Sequence, residues 1–155
     1  MDIKLADKED ICNVTALRMM YLKEAYGGLT KEEEKIIQNS NVEYLKRSLN
    51  KQCFIVFATH EGTICSCAYL NIMEKAANLR FTKNQYGEIY GVYTLPEYRK
   101  KGIATELIKR LLIKGKELHL PFIELDASED GYHIYQKIGL KESCSSYKAM
   151  KYILD

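Results

Sequence analysis

No apolar run in the 155-residue chain approaches membrane-spanning length, and the opening Met1-Asp2-Ile3-Lys4 lacks the apolar core of a secretory signal. A membrane partner is thereby set aside, and the sequence reads as cytoplasmic. No long block of one charge sign occurs apart from Arg99-Lys100-Lys101 and Glu32-Glu33-Glu34, and the formal net charge is only +2. That excludes nucleic-acid binding as the expected role, while leaving room for one phosphorylated ligand. Histidine is scarce: His60, His119 and His133 lie far apart in the chain, with no partner motif around any of them. The five cysteines (Cys12, Cys53, Cys65, Cys67, Cys144) are odd in number and scattered, the usual pattern of reduced, buried thiols. Cys65 and Cys67 would share one face of a strand, but no second Cys or His pair at zinc spacing completes a metal site, so none is expected. Repeats, low-complexity segments and interdomain linkers are also missing, and the length suits a single domain spanning residues 1–155.

What the sequence does contain is ordinary for a soluble globular protein, with 46% apolar and 28% charged residues. Twelve tyrosines are many for this length, and most are expected to pack half-buried with wet hydroxyls. Residues 2–5 alternate as a short strand. Asp7 can cap a helix over residues 9–26, where Ile11, Val14, Leu17, Tyr21 and Ala25 recur at helical spacing before Gly27-Gly28 ends it. Thr30 with Glu33 and Ser40 with Glu43 have capping-box spacing, predicting two further helical segments. The first of these, over residues 30–38, carries few large apolar residues and reads either as a lid or as an ordinary surface helix. From Gln52 the period changes: residues 53–58 and 63–72 read as a hairpin turning at Glu61-Gly62, and 88–94 as its third strand. A helix over 102–118, a strand over 121–125, a helix over 129–138 and strands over 140–144 and 146–153 complete the expectation. The predicted class is α+β, a mixed sheet of six to seven strands flanked by helices.

The most informative stretch is residues 87–104, GEIYGVYTLPEYRKKGIA. Its β-branched and aromatic strand stops at Pro96, which has no N–H for the ladder, and a basic turn with Gly102 then opens an apolar-periodic helix. Unpaired N–H groups at a helix start favour a phosphate, and glycine lets the backbone approach it. The same residues also fit a solvated basic turn before a surface helix. Gly91, inside the strand, is consistent with a bulge.

Two segments together carry a family resemblance. Tyr98-Arg99-Lys100-Lys101-Gly102-Ile103-Ala104 resembles the Q/R-x-x-G-x-G/A loop of the GNAT acyltransferase superfamily, with Ala104 small where many members have Gly. Downstream, Ala127-Ser128-Glu129-Asp130-Gly131-Tyr132-His133-Ile134-Tyr135-Gln136-Lys137-Ile138-Gly139-Leu140 resembles the A-[ST]-x-x-G-x-x-L-Y-x-K-x-G-F segment of many bacterial members. The element order fits that fold over essentially the whole chain. The resemblance implies acetyl-CoA as cofactor. It places Arg99, Lys100, Lys101, Gly102, Ile103, Ala104 and Thr105 at the pyrophosphate, and Val92, Tyr93 and Thr94 along the pantetheine arm and thioester carbonyl. Ser128, Gly131 and Tyr135 are implied on the cofactor's other side. Many members have an Asn after the fourth strand; here stand Asp126, Ser128 and Glu129, so that contact does not carry over.

An alkylamine acceptor is almost wholly protonated at neutral pH, so transfer benefits from a base and from an acid for the leaving thiolate. By the resemblance Glu88 is the candidate base and Tyr135 the candidate acid. Glu88 also fits a solvent-facing strand position, and Tyr135 also fits plain packing under the sheet. The leading expectation is an N-acetyltransferase acting on a primary amine of a small molecule in a ternary complex. Acetylation of a protein Lys or N-terminus, and a non-catalytic CoA-binding sensor, are the alternatives. Dimers are frequent in the family, so a homodimer is compatible with the resemblance.

Overall fold

Asp7 ends the first strand and starts the first helix. The computed structural model describes residues 1–154. After β1 (Asp2–Leu5), the Asp7 carboxylate accepts from the Glu9 N–H at 2.9 Å, and Asp10 accepts from the Asp7 N–H at 3.0 Å. This reciprocal cap closes a 3-10 turn, Lys8–Asp10, that runs into α1 (Ile11–Tyr26), which Gly27 ends in the left-handed conformation. Thr30 and Glu33 form the second capping box and start α2 (Lys31–Ser48).

Here the structure differs from the sequence expectation. One 18-residue helix runs through Ser40, where a second start was expected. No Gly or Pro stands between Thr30 and Leu49, so nothing interrupts the ladder, and a hydroxyl acts as a cap only where the ladder is open. Only Leu45 and Ser48 of α2 are buried.

β2 (Cys53–His60) and β3 (Thr63–Glu74) form the expected hairpin, turning through Glu61 and Gly62, both at positive φ. β4 (Gln85–Thr94) follows a loop and pairs antiparallel to β3. α3 (Ile103–Glu117) then crosses back to β5 (Ile123–Glu124), which lies parallel to β4. α4 (Glu129–Lys137) follows. The sheet runs in the order β1-β2-β3-β4-β5.

α1 covers one face of the sheet, where buried Tyr69 donates its hydroxyl to the Val14 carbonyl at 3.2 Å. α3 covers the other, with Leu107, Ile108 and Leu111 fully buried. Each such side chain contributes about 1.5–3 kcal/mol relative to exposure.

Among the described residues the sheet has five strands, not six to seven. The strand pair expected at 140–144 and 146–153 has not formed; the described residues from 141 onward are exposed and irregular. A strand needs an edge to pair with, and β5 offers one only two residues long. Of the cysteines, Cys53, Cys65 and Cys67 are buried, whereas Cys12 and Cys144 are exposed. Burial pushes the Cys67 thiol up to about 12.

Candidate active site

The site begins with one extra residue in β4. Cys67 pairs with Tyr93 and Tyr69 with Tyr90, so two steps on β3 face three on β4. Gly91 sits in this bulge at φ +59, and a Cβ there would meet Arg18 Nη1 at 2.9 Å and the Tyr69 ring at 3.0 Å. The glycine suspected of a bulge from sequence makes one.

β4 and β5 then part. Their pairing covers Gly87 with Ile123 and Glu88 with Glu124 and goes no further, so Val92, Tyr93 and Thr94 present a free backbone edge on that side. The cause lies in the chain between: Ser128 caps α4, its hydroxyl accepting from the Gly131 N–H at 3.2 Å, and so carries the chain away from the sheet. A cleft of about 580 Å³ opens there, between the end of α1, the edge of β4 and the starts of α3 and α4.

Its floor suits an anion. Lys100 and Gly102 both take positive φ (61° and 77°), curling the turn so that α3 begins at Gly102 without any side-chain cap. The first N–H groups of α3, at Ile103, Ala104 and Thr105, therefore have no side chain satisfying them, and all three residues line the cleft with Gly102. A Cβ on Gly102 would meet no atom of the chain within 4 Å, so within the fold itself the glycine is needed for its positive φ.

Arg99 lines the cleft but is already engaged. It donates through Nε to the Thr94 carbonyl at 2.9 Å and through Nη2 to both Glu24 carboxylate oxygens at 2.8 Å. Tyr93 donates its hydroxyl to the same carboxylate at 2.8 Å. These hydrogen bonds, from Arg99 first and then Tyr93, hold the Glu24 carboxyl below its ordinary range, so it is ionised at neutral pH. Lys100 also lines the cleft, whereas Lys101 turns away and sits 5.2 Å over the Tyr98 ring.

Tyr135 closes the far wall. Its ring lies over Gly131, where a Cβ would come within 2.8 Å of Cε2 and 3.0 Å of the hydroxyl. Half-buried, the phenol is pushed above its ordinary value by desolvation, with Tyr21 adding to the shift, and so keeps its proton. Ser128 and Gly131 share this wall. Glu88 does not line the cleft. It stands half-buried on β4 opposite Asn71, on the face where Tyr44 donates to Asn71 Oδ1 at 2.7 Å. The sequence reading missed Glu24 as a cleft residue, along with Asp130 and Ile134. Nothing local marks Glu24, which meets its partners across 69 and 75 positions of chain.

The family model described as acetyltransferase (GNAT) family matches residues 15–140. The chain belongs to that family. Acetyl-CoA is the family's cofactor. Among solved structures, the chain is similar to a predicted acetyltransferase with acetyl-CoA from Clostridium acetobutylicum, at 24% identity and a TM-score of 0.83 over 97% of this chain and 95% of that one. It is also similar to an aminoglycoside 6'-N-acetyltransferase from Acinetobacter haemolyticus, at 20% identity and a TM-score of 0.70 over 99% of each chain. A third likeness is to a ribosomal-protein-alanine N-acetyltransferase from Brucella melitensis biovar Abortus, at 20% identity and a TM-score of 0.70 over 97% of this chain and 100% of that one. No protein of curated function matches the sequence. The mixed α/β architecture is the GNAT fold. Among the described residues no helix is long and apolar enough to cross a membrane.

Proposed function

We propose that this chain is a single-domain N-acetyltransferase that moves an acetyl group from acetyl-CoA to a primary amine of a small molecule, both bound at once. The observation that carries the reading is the free edge of Val92, Tyr93 and Thr94 beside the uncapped start of α3, within one cleft. The cleft fits the cofactor's chemistry: unpaired amides and Lys100 suit a diphosphate, and an open strand edge suits an amide-bearing arm. Bound acetyl-CoA supplies an acetyl group activated as a thioester.

The chain's own groups do the rest. Outward amides of β4 donate to the carbonyl oxygen as charge builds on it. The Tyr135 hydroxyl, kept protonated by its surroundings, gives its proton to the departing sulfur. Glu88, outside the cleft on the Tyr44 and Asn71 face, takes the amine's proton through water.

The acceptor enters from that face, which α1 covers and where Tyr44 of α2 bonds Asn71, and this cover favours a small molecule over a peptide. Three buried thiols suit a reducing cytoplasm. Self-association belongs to the same reading, supported by the exposed Tyr147, Met150, Tyr152, Ile153 and Leu154 and by a sheet in which β5 pairs with β4 alone.

The test has two stages. Acetyl-CoA should raise the melting temperature, and thiol should appear when the protein is offered amines, amino acids, polyamines, aminoglycosides and peptides. Absence of any thermal shift would sink the cofactor assignment. A shift without thiol release from any acceptor would favour a CoA-binding sensor, and release from peptides alone would favour a protein acetyltransferase.

A further inference from the structure

Arg18 is a half-buried cation with no ion-pair or hydrogen-bond partner among the described residues. It lies on α1 one turn before Tyr21, and Arg18, Tyr21 and Ala25 follow one another along the helix face that looks onto β4. Tyr21 and Ala25 line the cleft. The Arg18 guanidinium stands 5.5 Å from the centre of the Tyr69 ring and 5.4 Å from that of Tyr90. Its Nη1 comes within 2.9 Å of where a Cβ on Gly91 would be. Positive charge is therefore fixed at the β4 bulge, one residue before the free edge begins at Val92.

Two aromatic faces attract a guanidinium, but they accept none of its five N–H groups in the plane of the fork. Among the described residues no carboxylate pairs with Arg18, while Arg80, Arg99 and Arg110 each have one. Nor do its nitrogens belong to the sealed, unsatisfied buried atoms. They are not sealed from solvent, and Arg18 lies just outside the cleft that Tyr21 and Ala25 line.

The surrounding face carries the complementary group. Tyr69 pairs with Tyr90 and Asn71 with Glu88, and strand alternation puts all four on the side of the sheet where Arg18 lies. Glu88 and Tyr90 are two residues apart, about 7 Å along the strand. A carboxylate and a cation thus flank one short stretch of β4, with the Tyr44 and Tyr90 hydroxyls nearby.

We propose that Arg18 binds the carboxylate of the acceptor, and that the acceptor is a free amino acid. The inference rests on the acetyl-transfer reading above. A planar, bidentate guanidinium matches a carboxylate, and pairing it removes the uncompensated charge. The amine one carbon away from that carboxylate then falls beside Val92, where the free edge begins. A peptide N-terminus lacks this group, since its carboxylate has become an amide.

The experiment uses the full chain with acetyl-CoA and the standard amino acids, each beside its own carboxamide, read as thiol release. At least one acid should exceed its carboxamide at least tenfold in kcat/KM. In Arg18→Met that preference should fall to within about twofold, and Arg18→Lys, which keeps charge but loses the fork, should lie between. A wild type that treats acid and carboxamide alike overturns the proposal, as does an Arg18→Met protein that keeps the preference.

Calorimetry of the same acids with wild type and Arg18→Met, in the presence of CoA, separates the two readings. Binding that depends on Arg18 without thiol release upholds the carboxylate site and removes the transfer. Failure of every acid to bind the wild type removes the site, whatever the enzyme acetylates.

Discussion

Burial keeps the Tyr135 phenol protonated, and the sign of that shift fixes its pH signature. An acid with a raised pKa holds its proton through neutrality and past the ordinary tyrosine value of about 10. Turnover limited by this group should therefore be level from neutral pH upward and fall only above that value. Tyr135→Phe should lower kcat about 100-fold, the low end for acid catalysis, remove the alkaline fall, and leave CoA affinity within about threefold. Stopped assays for thiol and a CoA thermal shift measure both; equal losses in turnover and affinity would mean a packing role only. Glu88→Gln should lower kcat about 100-fold while leaving CoA affinity unchanged, and full turnover would take Glu88 out of the chemistry. Glu24 predicts the opposite sign for binding. It holds Arg99 with two hydrogen bonds at the cleft and sets a negative charge beside the uncapped start of α3, the site proposed for the pyrophosphate. Glu24→Gln should free Arg99 and tighten CoA binding about two- to fivefold, the range for an exposed pair, with the gain shrinking in high salt. Weaker binding would show that Glu24 positions Arg99 rather than competing for it.

At the scale of elements, the β4 bulge is where a small substitution has a large effect. Gly91 is left-handed, and an added Cβ would press on both Arg18 and the buried Tyr69. Gly91→Ala should cost about 1–3 kcal/mol, read from urea denaturation, and should also lower activity because the free edge shifts. A cost below about 0.5 kcal/mol would mean that the strand can lose its bulge without harm. This bulge was readable from a lone glycine in a strand pattern, and so were the Asp7 and Thr30 caps and the Glu61-Gly62 turn, because each depends on residues within a few positions. The break at Ser40 was misread for the same reason. Ser40 and Glu43 have the right spacing, but a cap forms only where a helix ends, and the surrounding residues carry α2 straight through. The C-terminal strands were misread for the opposite reason: their pattern is local, but pairing depends on an edge elsewhere in the fold.

The same division holds for the whole molecule. The basic turn at Arg99 to Gly102 and the Tyr135 wall lie on two short motifs, and their meeting in one cleft follows from the fold those motifs imply. Glu24 reaches the cleft from α1, and Arg18 reaches the β4 bulge from the same helix, through contacts that no local pattern records. What the chain leaves open is also a property of the whole. β5 pairs with β4 alone, and beyond it lies a second cleft of about 970 Å³, lined by Leu112, Leu120, Ile123, Ile138 and Leu140 among others. Tyr147, Met150, Tyr152, Ile153 and Leu154 are each at least 77% exposed, a run of large apolar and β-forming side chains with nothing to bury them. An unpaired edge and an exposed apolar segment of β-forming residues on the same molecule are complementary in hydrogen bonding and in surface, which favours exchange of the tail between two copies. The full chain should therefore sediment as a dimer at micromolar concentration, with the amides of residues 146–154 protected from hydrogen exchange. A chain stopped after Ser145 should sediment as a monomer and still show the CoA thermal shift, since the cofactor cleft uses no residue beyond Tyr135. A full chain that stays monomeric with a rapidly exchanging tail would remove the dimer, and a monomer with a protected tail would show the segment folded onto its own β5.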